Sequence, residues 1–387
     1  METRQNEKEQ LGWKEHFIRQ GDGKGGWLLK PAEYRFLHHP EGGLVLSFGL
    51  AQMDNGEVIF LGSRTHGKEQ YAVFAIGRDG GDSWSEIQDL PDAVGRPMML
   101  AYLGNGRLTF ETEAGNLRYF SSDYGRTWTE KIPKQLTVGG KEWNGEGNPL
   151  VEQDARGLVT RMAEIGFTFP DNYRVELPVQ PLLRWSVDGG RTWTNETAPK
   201  EWQWEAVYRG KIYHRGVSEG SLARAANGWL VAALRPDMPP EYYADPDKQS
   251  GRDYNDSVEG IAVSISRDDG KTWSPMNFLF SAGRHHCHLV RMPNGDLVMT
   301  MGVRVDVREG KLASYRRGCD AVVSRDNGLT WDTERRYVLD EYEFYDGSRW
   351  FNGECGHLYS TLLDSGQILT THANYLTRGA SLIRWKP

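Results

Sequence analysis

Ser121-Ser-Asp-Tyr-Gly-Arg-Thr-Trp128, Ser186-Val-Asp-Gly-Gly-Arg-Thr-Trp193, Ser266-Arg-Asp-Asp-Gly-Lys-Thr-Trp273 and Ser324-Arg-Asp-Asn-Gly-Leu-Thr-Trp331 are four copies of one octapeptide, Ser-x-Asp-x-Gly-x-Thr-Trp. A fifth stretch, Gly77 to Trp84 (GRDGGDSW), is a degraded copy. Each position has a local reason. Ser and Asp side chains bond back to nearby backbone N–H groups, and Gly accepts the positive φ of a tight turn. Thr and Trp then return the chain to a strand and supply a large apolar surface. The same chemistry in every copy marks turn scaffolding at the periphery of a repeated unit, not an active site.

A second repeat interleaves with the first: apolar strand, turn glycine, apolar strand. The glycines are Gly42, Gly106, Gly157, Gly228, Gly295 and Gly366. Five of these turns are followed by an octapeptide, which gives six units of about 65 residues. Repeats of that size built from short strands predict an all-β fold, a six-bladed β-propeller with four-stranded antiparallel blades. One domain is expected over residues 1–387, with residues 1–11 as a loose tail. The last unit ends on Ser381 to Trp385, and residues 12–30 are expected to supply the outer strand that closes the ring. The longest loops are expected between Arg235 and Val258 and between Met301 and Arg317.

Composition narrows the function classes. Hydrophobic residues make up 38% and charged residues 26%, as in a folded globular chain. No apolar run reaches the ~18 residues of a membrane-spanning helix. The net charge of −7, without a Lys/Arg block, argues against nucleic acid. Cys287, Cys319 and Cys355 are too few for a disulfide framework and suit a reducing compartment. The polar opening METRQNEKEQ shows no secretory signal, so a cytoplasmic location is expected, with export open if a leader was processed. No cofactor is expected.

In a propeller the innermost strands line a central channel whose mouth is the usual ligand site. Counting nine residues back from the turn glycines of units two to six gives Pro97, Asn148, Glu219, His286 and His357; Tyr34-Arg35 holds the corresponding region of unit one. Alternation along a strand puts His286 with His288 and His357 with Tyr359, and turns His285 away. Two upstream segments, Trp143 to Glu146 and Asn352 to Glu354, add carboxylates to the same rim. His286 and His288 admit a metal reading, but a polar channel lining is preferred and no metal is expected. Cys287 and Cys355 read as buried, inert thiols.

The octapeptides resemble the Asp-box (BNR) repeat of the sialidase superfamily, and the repeats cover nearly the whole chain. That resemblance implies an exo-acting glycosidase in which three arginines clamp a sugar carboxylate. It maps the arginines to Arg35, Arg235 and Arg316, the base to Glu219 and the nucleophile to Tyr359, with His357 the alternative nucleophile; the family's acid is a loop aspartate, for which His66 is the candidate here. Substrate contacts are expected from His286, His288, Asn148, Glu146 and Glu354. Tyrosine is a poor nucleophile at its usual pKa of about 10 and needs such a base. Gly356 to Leu362 (GHLYSTL) looks like the family's nucleophile strand, although the nine-residue count selects His357 over Tyr359. The partner implied is an oligosaccharide or glycan, anionic under this reading. Two alternatives stand beside it: a propeller lyase that abstracts a proton from a uronic acid with His and Tyr, and a non-catalytic propeller that binds a glycan or a protein.

Overall fold

A computed structural model describes residues 12–66, 69–170, 178–208, 210–238, 259–308, 311–343, 357–374 and 376–387. Among them there are strands and two short 3-10 turns but no α-helix. Among the described residues the strands form mainly antiparallel groups that follow one another in sequence, the last two joined through Lys14–Gly21 into one nine-stranded sheet. Their inner strands are Leu44–Gln52, Pro97–Gly104, Leu150–Gln153, Val217–Arg224, Arg284–Arg291 and Leu358–Leu362. Each packs against the next and the last against the first, which closes a six-membered ring.

The packing repeats with the ring. Apolar clusters lie between neighbouring blades, such as Ile59, Leu61, Leu108, Phe110 and Trp128 between blades one and two. Between blades two and three the apolar cluster shrinks to Ala101, Leu103, Met162 and Trp193 with partly buried neighbours. Its place is taken by buried charge. Arg118 Nη2 reaches Glu111 at 2.9 Å and Glu164 at 2.6 Å, and Arg184 Nη2 reaches Glu164 at 3.0 Å. The Arg184 guanidinium also lies 3.8 Å from the ring centroid of Trp143.

The octapeptides are the turns between third and fourth strands. In the first, Thr127 N and Oγ1 donate to Asp123 at 2.9 and 2.6 Å, and Gly125 N donates to Ser121 Oγ at 3.0 Å. Trp128 Nε1 closes the turn on Gly125 O at 3.0 Å. Gly125 takes φ 79° and sits against Ile59 of the preceding blade, so a side chain there would meet both strain and a neighbour.

Ring closure departs from expectation. The strand that completes blade six is Trp27–Leu37, paired along Gly379–Trp385, while Lys14–Gly21 lies outside it and touches blade five. Gly42 therefore belongs to the link from blade six to blade one. The inner hairpin of blade one turns instead at Gly56, within Met53-Asp-Asn-Gly56-Glu57, a close match to Met292-Pro-Asn-Gly295-Asp296. Counting nine back from Gly56 gives Ser47, not Tyr34-Arg35. Of the two expected long loops, the one between Arg235 and Val258 lies largely outside the described residues; in the other, Asp306–Arg308 and Lys311–Ser314 form a hairpin, and an unanticipated hairpin joins Trp204–Tyr208 to Lys211–Arg215.

Candidate active site

The inner strands begin at one end of the channel, and three of the positions counted from the turn glycines, Glu219, His286 and His357, gather there, whereas Asn148, expected to touch substrate, lines the cavity among the opposite strand ends. Glu219 is the centre. Its Oε1 lies 2.8 Å from Arg235 Nη1, on the neighbouring strand of the same blade, and its Oε2 lies 2.8 Å from His286 Nδ1 of blade five. Two lone pairs cannot face each other at that distance, so Nδ1 carries a proton and donates to the carboxylate. His357 of blade six packs on His286 with ring centroids 4.2 Å apart, and Phe48 of blade one covers its other side at 4.3 Å. Burial and the positive charges around His357 push its pKa well below the ordinary histidine value.

Glu146 reaches the cluster by an unusual route. Gly147 and Asn148 run parallel to Gly220 and Ser221 of the blade-four inner strand, and Gly220 N donates to Glu146 O at 3.2 Å. Gly147, at φ 137°, has no room for a Cβ, which would run into the Gly220 carbonyl. Upstream, Trp143 is buried over Arg184 of the charged cluster. Glu146 is half-buried, and burial together with the negative charge of Glu219 raises its pKa to about 7.

Bulges aim these side chains. The inner strand of blade five slips register between His285 and His288, and His286 takes φ 50°. An extra residue there re-aims the strand's side chains. His285 thus faces the cluster rather than away, with Nδ1 4.0 Å from Glu219 Oε2, which corrects the alternation argument. Arg304 Nε donates to His285 Nε2, which fixes that ring as the Nδ1–H tautomer. Blade four carries a similar slip between Val217 and Glu219.

Other expected residues stand elsewhere. Arg35 lies on the outer strand of blade six, three strands from the channel wall, because Trp27–Leu37 closes the ring instead of opening blade one. Arg316 is on the third strand of blade five, buried in ion pairs with Asp320, Asp306 and Glu341. The three-arginine clamp therefore does not assemble; of its members, Arg235 is at the hub. His288 is buried in the wall, where its Nδ1 accepts the Ser360 N–H at 3.2 Å, and burial lowers its pKa to about 3. Tyr359 is buried among Phe48, Met98 and Met99. Burial and the charges of Glu146 and Glu219 raise its phenol pKa well above the ordinary value, so it stays protonated. His66 ends the second strand of blade one, with its side chain outside the described residues, as are Glu354 and Cys355. Cys287 is buried, and burial raises its thiol pKa.

Sequence reasoning missed three neighbours. Arg96 pairs with Glu113 at 2.6 Å, and its charge acts on Glu146, His357 and Tyr359. It stands one residue before Pro97, so reading either side of the nine-residue position would have found it. Phe48 follows Ser47 in the same way once Gly56 is taken as the turn. Arg304, next to Val303 at the end of a strand, carried no signal of its own.

Among the described residues, two sets of side chains bring potential metal ligands within 4.8 Å of one another: Glu146, His286 and His357, and Glu219, His285 and His286. The second fits an ion poorly, because Arg304 holds His285 with its proton on the nitrogen that faces Glu219. The first fits in donor type.

No family model matches the sequence, and no curated protein does. Solved structures do. A protein of unknown function from Dyadobacter fermentans DSM 18053 is 16% identical over 91% of this chain and 98% of its own, with a TM-score of 0.58. The α-L-arabinofuranosidase (GH93) of Fusarium graminearum, in complex with arabinobiose, is 13% identical over 90% and 96%, with a TM-score of 0.55. The Penicillium chrysogenum α-L-arabinanase, also with arabinobiose, is 11% identical over 96% and 98%, with a TM-score of 0.54. At these identities the likeness shows a shared fold.

Proposed function

We propose that the chain is a glycoside hydrolase that works with two carboxyl groups, Glu146 as proton donor and Glu219 as ionised partner. One observation carries this reading. Two glutamates meet at one hub in environments that drive them apart: Glu146 is raised to about 7, while Glu219 is addressed by a guanidinium and an imidazole N–H. Paired titratable groups with separated affinities for protons mark acid and base roles. Glu146 would protonate the leaving glycosidic oxygen. Glu219 would face the positive charge that develops on the departing sugar ring, as nucleophile or as base for water. Arg235 and His286 hold Glu219 in place, and Phe48 and His357 wall the pocket.

The reading departs from a sialidase in its substrate. A sugar carboxylate needs guanidinium groups aimed at it, and the hub arginines are committed: Arg235 to Glu219 and Ser218, Arg96 to Glu113, Arg304 to His285. A neutral sugar suits two glutamates better than an acidic one, and Tyr359 as a buried neutral phenol is a weak candidate nucleophile. The proteins of the same fold that were crystallised with arabinobiose make arabino-oligosaccharides the first substrates to test. A lyase remains as a second reading, favoured by the imidazoles of His285, His286 and His357 gathered beside Glu219.

Product analysis on arabino-oligosaccharides, sialosides and uronic-acid oligosaccharides separates the readings. Hydrolysis of a neutral sugar yields a saturated reducing sugar and is the expected outcome. An unsaturated product absorbing in the near ultraviolet would select the lyase. Release of sialic acid alone would restore the acidic-sugar reading, and no turnover on any of them would leave a binding protein.

A further inference from the structure

We infer that the opposite mouth of the channel is a second binding site, built for an uncharged, hydroxyl-bearing ligand such as a sugar unit. A cavity of about 590 Å³ is lined there by residues of all six inner strands. The residues at its rim come from the ends of those strands, the candidate catalytic groups from their beginnings. Along the blade-four strand alone, Arg224 stands five positions after Glu219, about 16 Å of extended chain.

The lining is ordered in two rings. Leu50, Leu100, Leu222 and Leu289 each stand six residues before the turn glycine of their blade and form an apolar floor. Two residues further on come Gln52, Tyr102, Gln153, Arg224 and Arg291, a polar rim. Most of the rim's charge cancels internally. Glu152 and Asp269 are both bridged by Arg161 and Arg224.

What remains on offer is a donor and an acceptor. Arg291 pairs with no carboxylate among the described residues, and its Nη1 makes one long bond of 3.4 Å to Arg224 O. Gln52 Oε1 is buried and has no hydrogen-bond partner among the described residues, while its Nε2 makes two contacts of 3.4 Å. A buried acceptor left unmade is costly, so a ligand that donates to it gains. Each sugar hydroxyl both donates and accepts, so one can donate to Gln52 while another accepts from Arg291. The C–H face of a sugar suits the leucine floor.

The test uses the Glu219→Gln protein, titrated by calorimetry with arabinotriose and with galactobiose, and crystals of it soaked in each. At least one sugar is expected to bind against Gln52 and Arg291. Adding Gln52→Ala and Arg291→Ala should then weaken binding by about tenfold or more. The melting temperature of that protein should be unchanged, since both residues are at the rim. Absence of heat with both sugars would overturn the inference. So would a sugar seen at the Glu219 end alone with heat unaffected by the two alanines, or displacement of the sugar by sulfate, which would mark an anion pocket instead.

Discussion

Glu146 and Glu219 differ in what surrounds them, not in what they are. Burial and a neighbouring negative charge favour the protonated form of Glu146, and Glu146→Gln removes the proton donor. Turnover of a substrate with a poor leaving group should fall by about 10²–10⁴-fold. An aryl glycoside with a good leaving group should lose much less, because its leaving oxygen needs no proton; equal losses on both substrates would contradict the assignment. In the native enzyme the rate should decline as pH rises through about 7, where Glu146 gives up its proton, and this alkaline limb should vanish in Glu146→Gln. The same raised value makes folding stability fall as pH rises from the ordinary glutamate range through about 7. Much of this residue-level picture was legible in the sequence. Counting from turn glycines selected Glu219, His286 and His357, since a repeated hairpin fixes which residue faces the channel. The arginine clamp was not legible, because basic residues at strand positions in Arg35 and Arg316 look alike whether they face a ligand or an aspartate such as Asp320.

At the scale of single elements, the segment Trp143 to Asn148 and the bulges do the aiming. Bulges break the alternation from which side-chain direction is read, so no sequence pattern announced that His285 and His286 would both face Glu219. Gly147 tests the segment. In Gly147→Ala a Cβ would push the strand off Gly220, so Glu146 should leave the cluster, with a fall in kcat and a loss of the alkaline limb near 7. An unchanged pH profile would show that the parallel pairing is not what positions Glu146. The octapeptide turns make the contrasting case. Asp123→Ala removes bonds to Thr127 and Arg126 and should cost about 1–3 kcal/mol of stability. Its effect on kcat/KM should be within twofold or so, because the turn lies at the blade periphery. The same Ser, Asp and Thr bonding in four octapeptides is why the repeat was enough to read the fold.

The whole molecule depends on closing the ring, and closure carries its own charge. Between blades five and six His372 is fully buried, with Nε2 3.0 Å from Asp340 Oδ2 and Nδ1 3.2 Å from Ala373 O. Both nitrogens face acceptors, so the ring is held protonated; burial opposes the charge, but Cys319 and Asp340 beside it raise its pKa well above the ordinary value. Such a group stabilises the fold fully below the ordinary histidine pKa, and the contribution is lost as pH rises through the folded value. The melting temperature of His372→Gln should therefore lie further below native near pH 6 than near pH 9; an equal gap at both would contradict the charged form. The closing strand itself was placed one hairpin too early in the sequence, since Trp27–Leu37 and Lys14–Gly21 are both plausible outer strands and only pairing with Gly379–Trp385 decides between them. Closure brings Phe48 of blade one against His357 of blade six, and the succession of blades three to five brings Glu146 beside Glu219 and His286. Carbon-13 NMR titration of the Glu146 side-chain carboxyl, in native protein and in Glu219→Gln, tests that meeting most directly. The native carboxyl should titrate at about 7, and its midpoint should fall when the Glu219 charge is removed. A midpoint near 4.5 in both proteins would contradict the two-glutamate site.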